Sequence, residues 1–187
     1  MLEKLLSLDT RLFIFLNGLG SETYDVLWLF ITKQINWIPF FLLLLYVIYK
    51  KLGAKQTLYL LLFVAVLITI TDQTTNLFKN GFQRLRPCNN PDINTFIRVV
   101  KKSNSFSFFS GHAANTMAVA TFLYFNFKSK IKYFGFLFLW PLIFAYSRIY
   151  LGLHYPIDIL SGYFFGFIFG FMMFNIYGLV QQKYFPL

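Results

Sequence analysis

Four scarcities frame this 187-residue chain: one cysteine, two histidines, seven acidic residues, and charged residues of any kind at only 13%. The lone Cys88 excludes an intramolecular disulfide and any cysteine-based metal cluster. Soluble domains carry about a quarter charged residues, so a chain with half that share is not an ordinary soluble domain. The seven acids face 17 Lys and Arg, for a formal net charge of +10. In so apolar a chain the cations gather in the few segments that touch water, where they meet anions such as lipid headgroups or substrate phosphates. Nucleic acid is disfavoured as a partner, because no long basic stripe lies outside the short loops between apolar runs.

What is abundant is apolar: 57% of residues are hydrophobic, 22% are aromatic and 26 are Phe. The length fits one domain, and a helical crossing needs about 20 mostly apolar residues. The chain therefore reads as an all-α, polytopic integral membrane helix bundle, a single membrane-embedded domain over 1–187. Five spans are expected, near 36–49, 56–78, 112–127, 133–146 and 157–177. Asp72 and Gln73 interrupt the second, and an acid there either reaches the interface or serves a polar interior. Residues 1–33 make no clean span. Leu5, Leu12 and Leu16 share an apolar stripe while Glu3, Lys4, Asp9 and Arg11 keep the other side wet, so this stretch reads as interfacial helices ahead of a transmembrane core over 34–187. The alternative joins part of it into a sixth span. No cleavable leader is expected, since the first residues are mixed in charge and no small-residue cleavage site follows.

With five spans, Lys50, Lys51 and Lys55 fall on the same side as Lys128, Lys130 and Lys132, a pattern that the positive-inside rule assigns to the cytoplasm. The long segment 79–111 and the turn around 148–156 then face outward. Both histidines, His112 and His154, sit on that side at the start of a span.

Three polar clusters surround them. Lys79 and Arg86 supply a point charge and a planar fork suited to phosphate oxygens, although either could simply anchor a helix at the interface. Ser110 and Gly111 precede a predicted helix: the serine can cap it, and the glycine lets an anion approach its exposed N–H groups. His154 and Asp158 are spaced to share one helical face, with Pro156 suited to a first turn. Asp158 can then hold one ring nitrogen of His154 and direct the other outward, or serve only as a helix-start acid.

Taken together, Lys79-x6-Arg86-Pro87, Ser110-Gly111-His112 and Ser147-Arg148-x5-His154-x3-Asp158 resemble the three-part signature of the type 2 phosphatidic acid phosphatase superfamily, to which vanadium haloperoxidases are related. The resemblance spans Lys79 to Asp158 and departs at Phe109, where the family usually has proline. It implies a changed loop shape there with retained chemistry. It further implies hydrolysis of a lipid phosphate or diphosphate through a phosphohistidine, without metal or other cofactor. By this likeness His154 resembles the nucleophile, Asp158 its orienting carboxylate and His112 the general acid. Lys79, Arg86 and Arg148 resemble the phosphate clamp, with Ser110 and the Gly111 N–H as further donors.

Metal binding by two histidines and one aspartate is disfavoured, because three cationic side chains would face a divalent ion. The additional cations Arg84, Arg98, Lys101 and Lys102 favour a diphosphate, so the expected substrate is a polyprenyl (undecaprenyl) diphosphate. Phosphatidic acid, phosphatidylglycerol phosphate and lipid A phosphates are the alternatives. A lipid-phosphate transporter or scramblase that binds without cleaving is the alternative of another class. The five apolar spans disfavour a soluble haloperoxidase-like relative. The expected location is a bacterial inner membrane, with the site toward the periplasm or outside.

Overall fold

A computed structural model describes residues 2–184. Six α-helices account for most of them: α1 (Leu2–Gly18), α2 (Asp25–Ile31), α3 (Ile38–Phe82), α4 (Gly111–Phe127), α5 (Leu139–Tyr150) and α6 (Pro156–Tyr184). Short 3-10 turns join several of them, and no strand occurs among the described residues.

The first two expected spans form one helix, α3, broken at Gly53, whose φ of 75° and ψ of 174° suit glycine alone. Helical hydrogen bonding resumes so soon after the bend that no loop separates the two arms. Ile38 to Ile48 on the first arm and Leu60 to Ile68 on the second line a common apolar cavity of about 430 Å³, so the arms lie beside each other. The helical stretches Gln34–Asn89 and Pro156–Lys183 are long and apolar enough to cross a membrane. Helices α4 and α5, with 17 and 12 residues, fall short of that length and are the more buried parts of the bundle. Large apolar side chains project from the long helices, with Leu58 at 72% exposure and Phe164 at 62%. A surface of this kind is at home in hydrocarbon and costly in water.

Helix α4 occupies the centre of the bundle and packs most closely on α6. Lipid tails are as apolar as leucine, so membrane helices associate through close backbone approach and small residues. Ala114 and Ala118 on α4 face Gly162, Gly166 and Gly170 on α6. A methyl group at Gly162 would lie 2.7 Å from the Ser110 carbonyl oxygen, and one at Gly166 or Gly170 would overlap the carbonyl of Ala114 or Ala118.

The N-terminal segment is tied down more firmly than a helix floating at a surface. Asn17, 1% exposed, donates to the carbonyl oxygens of Arg98, Ile149 and Tyr150 and accepts from the Arg98 N–H at 2.8 Å. Asp9, expected on a wet face, is buried against the start of α6, where its Oδ1 accepts from the Ile157 N–H at 2.8 Å. The wet face of α1 is partly an interior contact, because amphipathic patterning does not distinguish water from a polar protein surface.

The two ends of the bundle differ in character. Leu52, Phe127, Lys130, Tyr177 and Gln181 meet at one end, which brings the Lys50–Lys55 bend and the Lys128–Lys132 turn together. The opposite end gathers the C-terminus of α3 and the starts of α4 and α6.

Candidate active site

The first motif enters from the end of α3. Lys79 lies in its last turn, and the chain leaves the helix through Gln83 in a left-handed conformation (φ 48°). Extended backbone then carries Arg86 into the protein, where it is 3% exposed. Four contacts orient its guanidinium and leave one Nη2 hydrogen unassigned. Nε donates to the Ser105 carbonyl at 2.7 Å, Nη2 to Ser105 Oγ at 2.8 Å, and Nη1 to the Leu153 carbonyl at 3.0 Å. The same Nη1 lies 2.9 Å from His154 Nε2.

The second motif forms the head of α4. Ser110 is its N-cap, with Oγ accepting from the Ala113 N–H at 3.4 Å, and its own N–H donates to the Asp158 carbonyl at 3.0 Å. Gly111 sits where a Cβ would come within 3.2 Å of the Thr75 methyl and 3.9 Å of Lys79 Nζ, so the absent side chain brings α4 close to α3 and to this lysine. His112 lies one position further on and stacks on Phe144, with ring centroids 5.4 Å apart. Phe109, in place of a proline, is fully buried and wedges between Phe78 (5.2 Å) and Phe165 (4.8 Å). An aromatic plug between α3 and α6 anchors this loop where a rigid ring could have preset it.

The third motif is held by a tight turn. The Arg148 carbonyl at the end of α5 accepts from both Leu153 and His154 N–H, at 2.9 and 3.3 Å, while Gly152 turns the chain with φ 81°. Arg148 is 5% exposed; Nη1 donates to Thr32 Oγ1 at 2.5 Å, and Nε is buried without a partner. Asp158 stands in the first turn of α6 and is fully buried. Its Oδ2 accepts from the Tyr155 N–H at 2.9 Å, lies 3.4 Å from His154 Nδ1, and also accepts from Ser107 Oγ. Both readings of Asp158 therefore hold at once: it caps the helix and it faces the imidazole.

These contacts define the tautomer of His154. Arginine has donors only, so Nε2 beside Arg86 must be the accepting nitrogen, and the proton resides on Nδ1, facing Asp158. Burial first, then the charges of Arg86, Arg148 and Lys79, hold the His154 pKa well below its ordinary value of 6.5. The imidazole is thus neutral, and its Nε2 lone pair, which accepts from Arg86 here, faces a ring of cations.

Two residues outside the motifs bear on the cluster. Arg84 spans two carboxylates, donating from Nη1 to Asp158 Oδ1 and from Nη2 to Asp9 Oδ2, each at 2.7 Å. Its guanidinium also covers the Tyr155 ring at 3.9 Å. Ser107 bridges Asp158 and the neighbourhood of His154 Nδ1. Arg98, another of the additional cations, is engaged elsewhere, at 2.8 Å from Asp25. The structure brings all eight expected site residues to one end of the bundle and removes Arg84 and Arg98 from the pool of free cations.

A helical membrane bundle whose one end buries a neutral histidine and its aspartate among arginines and a lysine is built for phosphoryl chemistry, as a membrane lipid phosphatase. The model of the PAP2 superfamily matches residues 56–181, and the chain belongs to this family. Among curated relatives, a lipid A 4'-phosphatase of Bacteroides thetaiotaomicron is 36% identical over 167 residues, covering 87% of this chain and 73% of the relative. A lipid A 4'-phosphatase of Porphyromonas gingivalis is 29% identical over 188 residues, covering 98% of this chain and 78% of the relative. Two crystal structures share the fold. LpxE of Aquifex aeolicus has a TM-score of 0.68 at 23% identity, covering 90% of this chain and 95% of that one. A transmembrane PAP2-type phosphatidylglycerolphosphate phosphatase of Bacillus subtilis has a TM-score of 0.65 at 19% identity, covering 97% and 88%. The chain is a phosphatase of the PAP2 superfamily and an integral membrane protein.

Proposed function

We propose that this protein hydrolyses the phosphate monoester of a lipid A-type glycolipid, without metal, through a phosphohistidine. The observation that carries the mechanism is the setting of His154, whose Nε2 lies 2.9 Å from Arg86 Nη1 while Nδ1 faces Asp158; phosphate oxygens that draw Arg86 to themselves free Nε2 for attack. Nε2 attacks phosphorus as the bond to the sugar oxygen breaks. Asp158 stabilises the positive charge that develops on the ring, and His112 gives its proton to the departing alkoxide. Water then attacks the phosphorus of the phosphohistidine, His112 takes the proton, the N–P bond breaks, and inorganic phosphate leaves. Lys79, Arg86 and Arg148 hold the non-bridging oxygens, supplying the charge that Mg²⁺ supplies in kinases, with Ser110 and the Gly111 N–H as additional donors.

The choice of substrate differs from the polyprenyl diphosphate expected from charge alone. That expectation counted Arg84 and Arg98 as free for a second phosphate, yet each is paired with aspartate. Both curated relatives above act, by name, on lipid A, whose 4'-phosphate is a sugar monoester. We further read five crossings, counting the two arms of α3 separately, with the lysine-rich end in the cytoplasm and the site on the outer face of a bacterial inner membrane.

Phosphate release by the detergent-purified protein tests this reading. In EDTA, turnover of lipid A is expected at full rate and at a higher kcat/KM than that of polyprenyl diphosphate or phosphatidic acid. A strict requirement for a divalent ion would overturn the mechanism, and a preference for the diphosphate would overturn the choice of substrate.

Arg84 acts in this scheme as a positioning residue, joining Asp158 to Asp9. Arg84→Ala is expected to lower kcat by about 10²-fold, as misplacement of a catalytic group commonly does, with little change in KM. Arg84→Lys should recover part of the loss. Single-turnover measurement of phosphoenzyme formation checks this: an equal fall in binding and turnover would assign Arg84 to the phosphate clamp.

A further inference from the structure

Beside His112 lies a cavity of about 220 Å³ that the phosphoryl chemistry does not use. Asn115 and Thr116 of α4 line it, with Trp140 and Phe144 of α5 and Gln34 and Trp37 from the turn before α3. Phe144 is the ring on which His112 stacks, so the cavity begins where the imidazole ends. The direction is that of the leaving group, because His112 is the residue that would protonate it.

Two polar atoms in this wall lack partners. Trp140 is only 8% exposed, yet its Nε1–H donates to nothing, and Asn115 Oδ1 is likewise buried and unpaired. The amide of Asn115 is fixed in orientation, since its Nδ2 donates to Asp72 Oδ1 at 3.1 Å and leaves Oδ1 as the presented acceptor. Asp72, conspicuous in the sequence as an acid within an apolar run, thus sets the polarity of this wall. Buried donors and acceptors are rarely left unsatisfied unless something arrives to pair with them. A donor, an acceptor and flanking aromatic faces suit a hydroxylated ring, which is polar at its edges and apolar on its faces.

We propose that this cavity is the subsite for the sugar ring of the leaving group, with Trp140 Nε1–H and Asn115 Oδ1 pairing with its hydroxyl or amide groups. The proposal rests on the sugar-phosphate reading above and supplies its selectivity. Along α4 the order is His112, then Asn115 and Thr116, then Val119 and Leu123, which face the apolar cavity between the arms of α3. That order of reactive, polar and apolar surroundings matches phosphate, sugar and acyl chain. A polyprenyl phosphate joins hydrocarbon directly to phosphate and would press methylene groups against the unpaired donor and acceptor.

The test compares the full-length protein in detergent with Trp140→Phe and Asn115→Leu, each assayed on lipid A and on phosphatidic acid. The ratio of kcat/KM for lipid A to that for phosphatidic acid is expected to fall about tenfold in each variant, the scale of one lost hydrogen bond. A second measurement needs no variant. A lipid A analogue with hydrogen in place of the 6'-hydroxyl, the free hydroxyl nearest the 4'-phosphate, should lose about tenfold in kcat/KM with the unaltered protein. An unmoved ratio together with an undiminished analogue overturns the subsite while leaving the lipid A reading intact. Failure of the unaltered protein to release phosphate from lipid A overturns that reading, and the subsite falls with it.

Discussion

His154→Ala is expected to abolish turnover, lowering phosphate release on the order of 10⁴-fold or more, the scale seen when a covalent nucleophile is removed. The loss should be one of kcat: rapid-quench experiments should trap a phosphoenzyme in the unaltered protein and none in the variant. Binding of a non-hydrolysable lipid phosphate should persist, because the cations come from other segments: Lys79 from α3, Arg86 from the extended segment after it, and Arg148 from α5. Undiminished turnover would sink the assignment of the nucleophile, and a protein that only carries lipid phosphate would be indifferent to the change. The pH profile gives a further check. Protonation of Nε2 removes the nucleophile, and the depressed pKa of His154 postpones that protonation to lower pH. The acid limb of kcat/KM should therefore lie below pH 6.5, the ordinary value for histidine. Arg86→Ala, by removing one of the responsible charges, should move it upward.

Gly166→Leu carries the second large effect, this time on the fold. Even a single Cβ at this position overlaps the Ala114 carbonyl, and backbone cannot step aside as the end of a flexible side chain can. Overpacking typically costs about 1–3 kcal/mol and occasionally more, and the full leucine side chain at so close a helix contact should reach about 3 kcal/mol or more. Helices α4 and α6 also carry His112 and Asp158, so activity should fall together with thermal stability in detergent. A Tm unchanged from that of the unaltered protein would show that the helices separate at this contact without consequence. Gly178 provides the control, since a Cβ there would have nothing within 4 Å, and Gly178→Ala should leave Tm in place.

Legibility in the sequence follows the range of the forces involved. The cap at Ser110 and the proline at the head of α6 depend on a few neighbouring residues, and each stands where local rules put it. His154 does not share a helix with Asp158 as their spacing suggested, because α6 begins at Pro156 and a turn anchored on the Arg148 carbonyl sets the histidine instead. The bend at Gly53 is visible only as a gap between apolar runs, because one glycine can be a loop or a kink with the same composition around it. The Gly162, Gly166 and Gly170 series is a small-residue stripe at helical spacing, yet only the partner helix reveals what it meets. Asp9, Arg84 and Ser107 carry no motif at all. Their meaning arises from contacts between residues far apart in the chain. Asn115 and Trp140 are likewise ordinary until their unpaired atoms are seen in one wall.

The bridge from Asp9 through Arg84 to Asp158 also bears on when this protein becomes competent during synthesis. Its members come from α1, the segment just after α3 and the start of α6. Segments enter the bilayer in chain order, so Arg84 and Asp9 can pair early, but the carboxylate that faces His154 arrives only with α6. No partial assembly of the earlier helices holds the reacting imidazole in place. On the proposed mechanism, turnover would therefore begin only once α6 has docked.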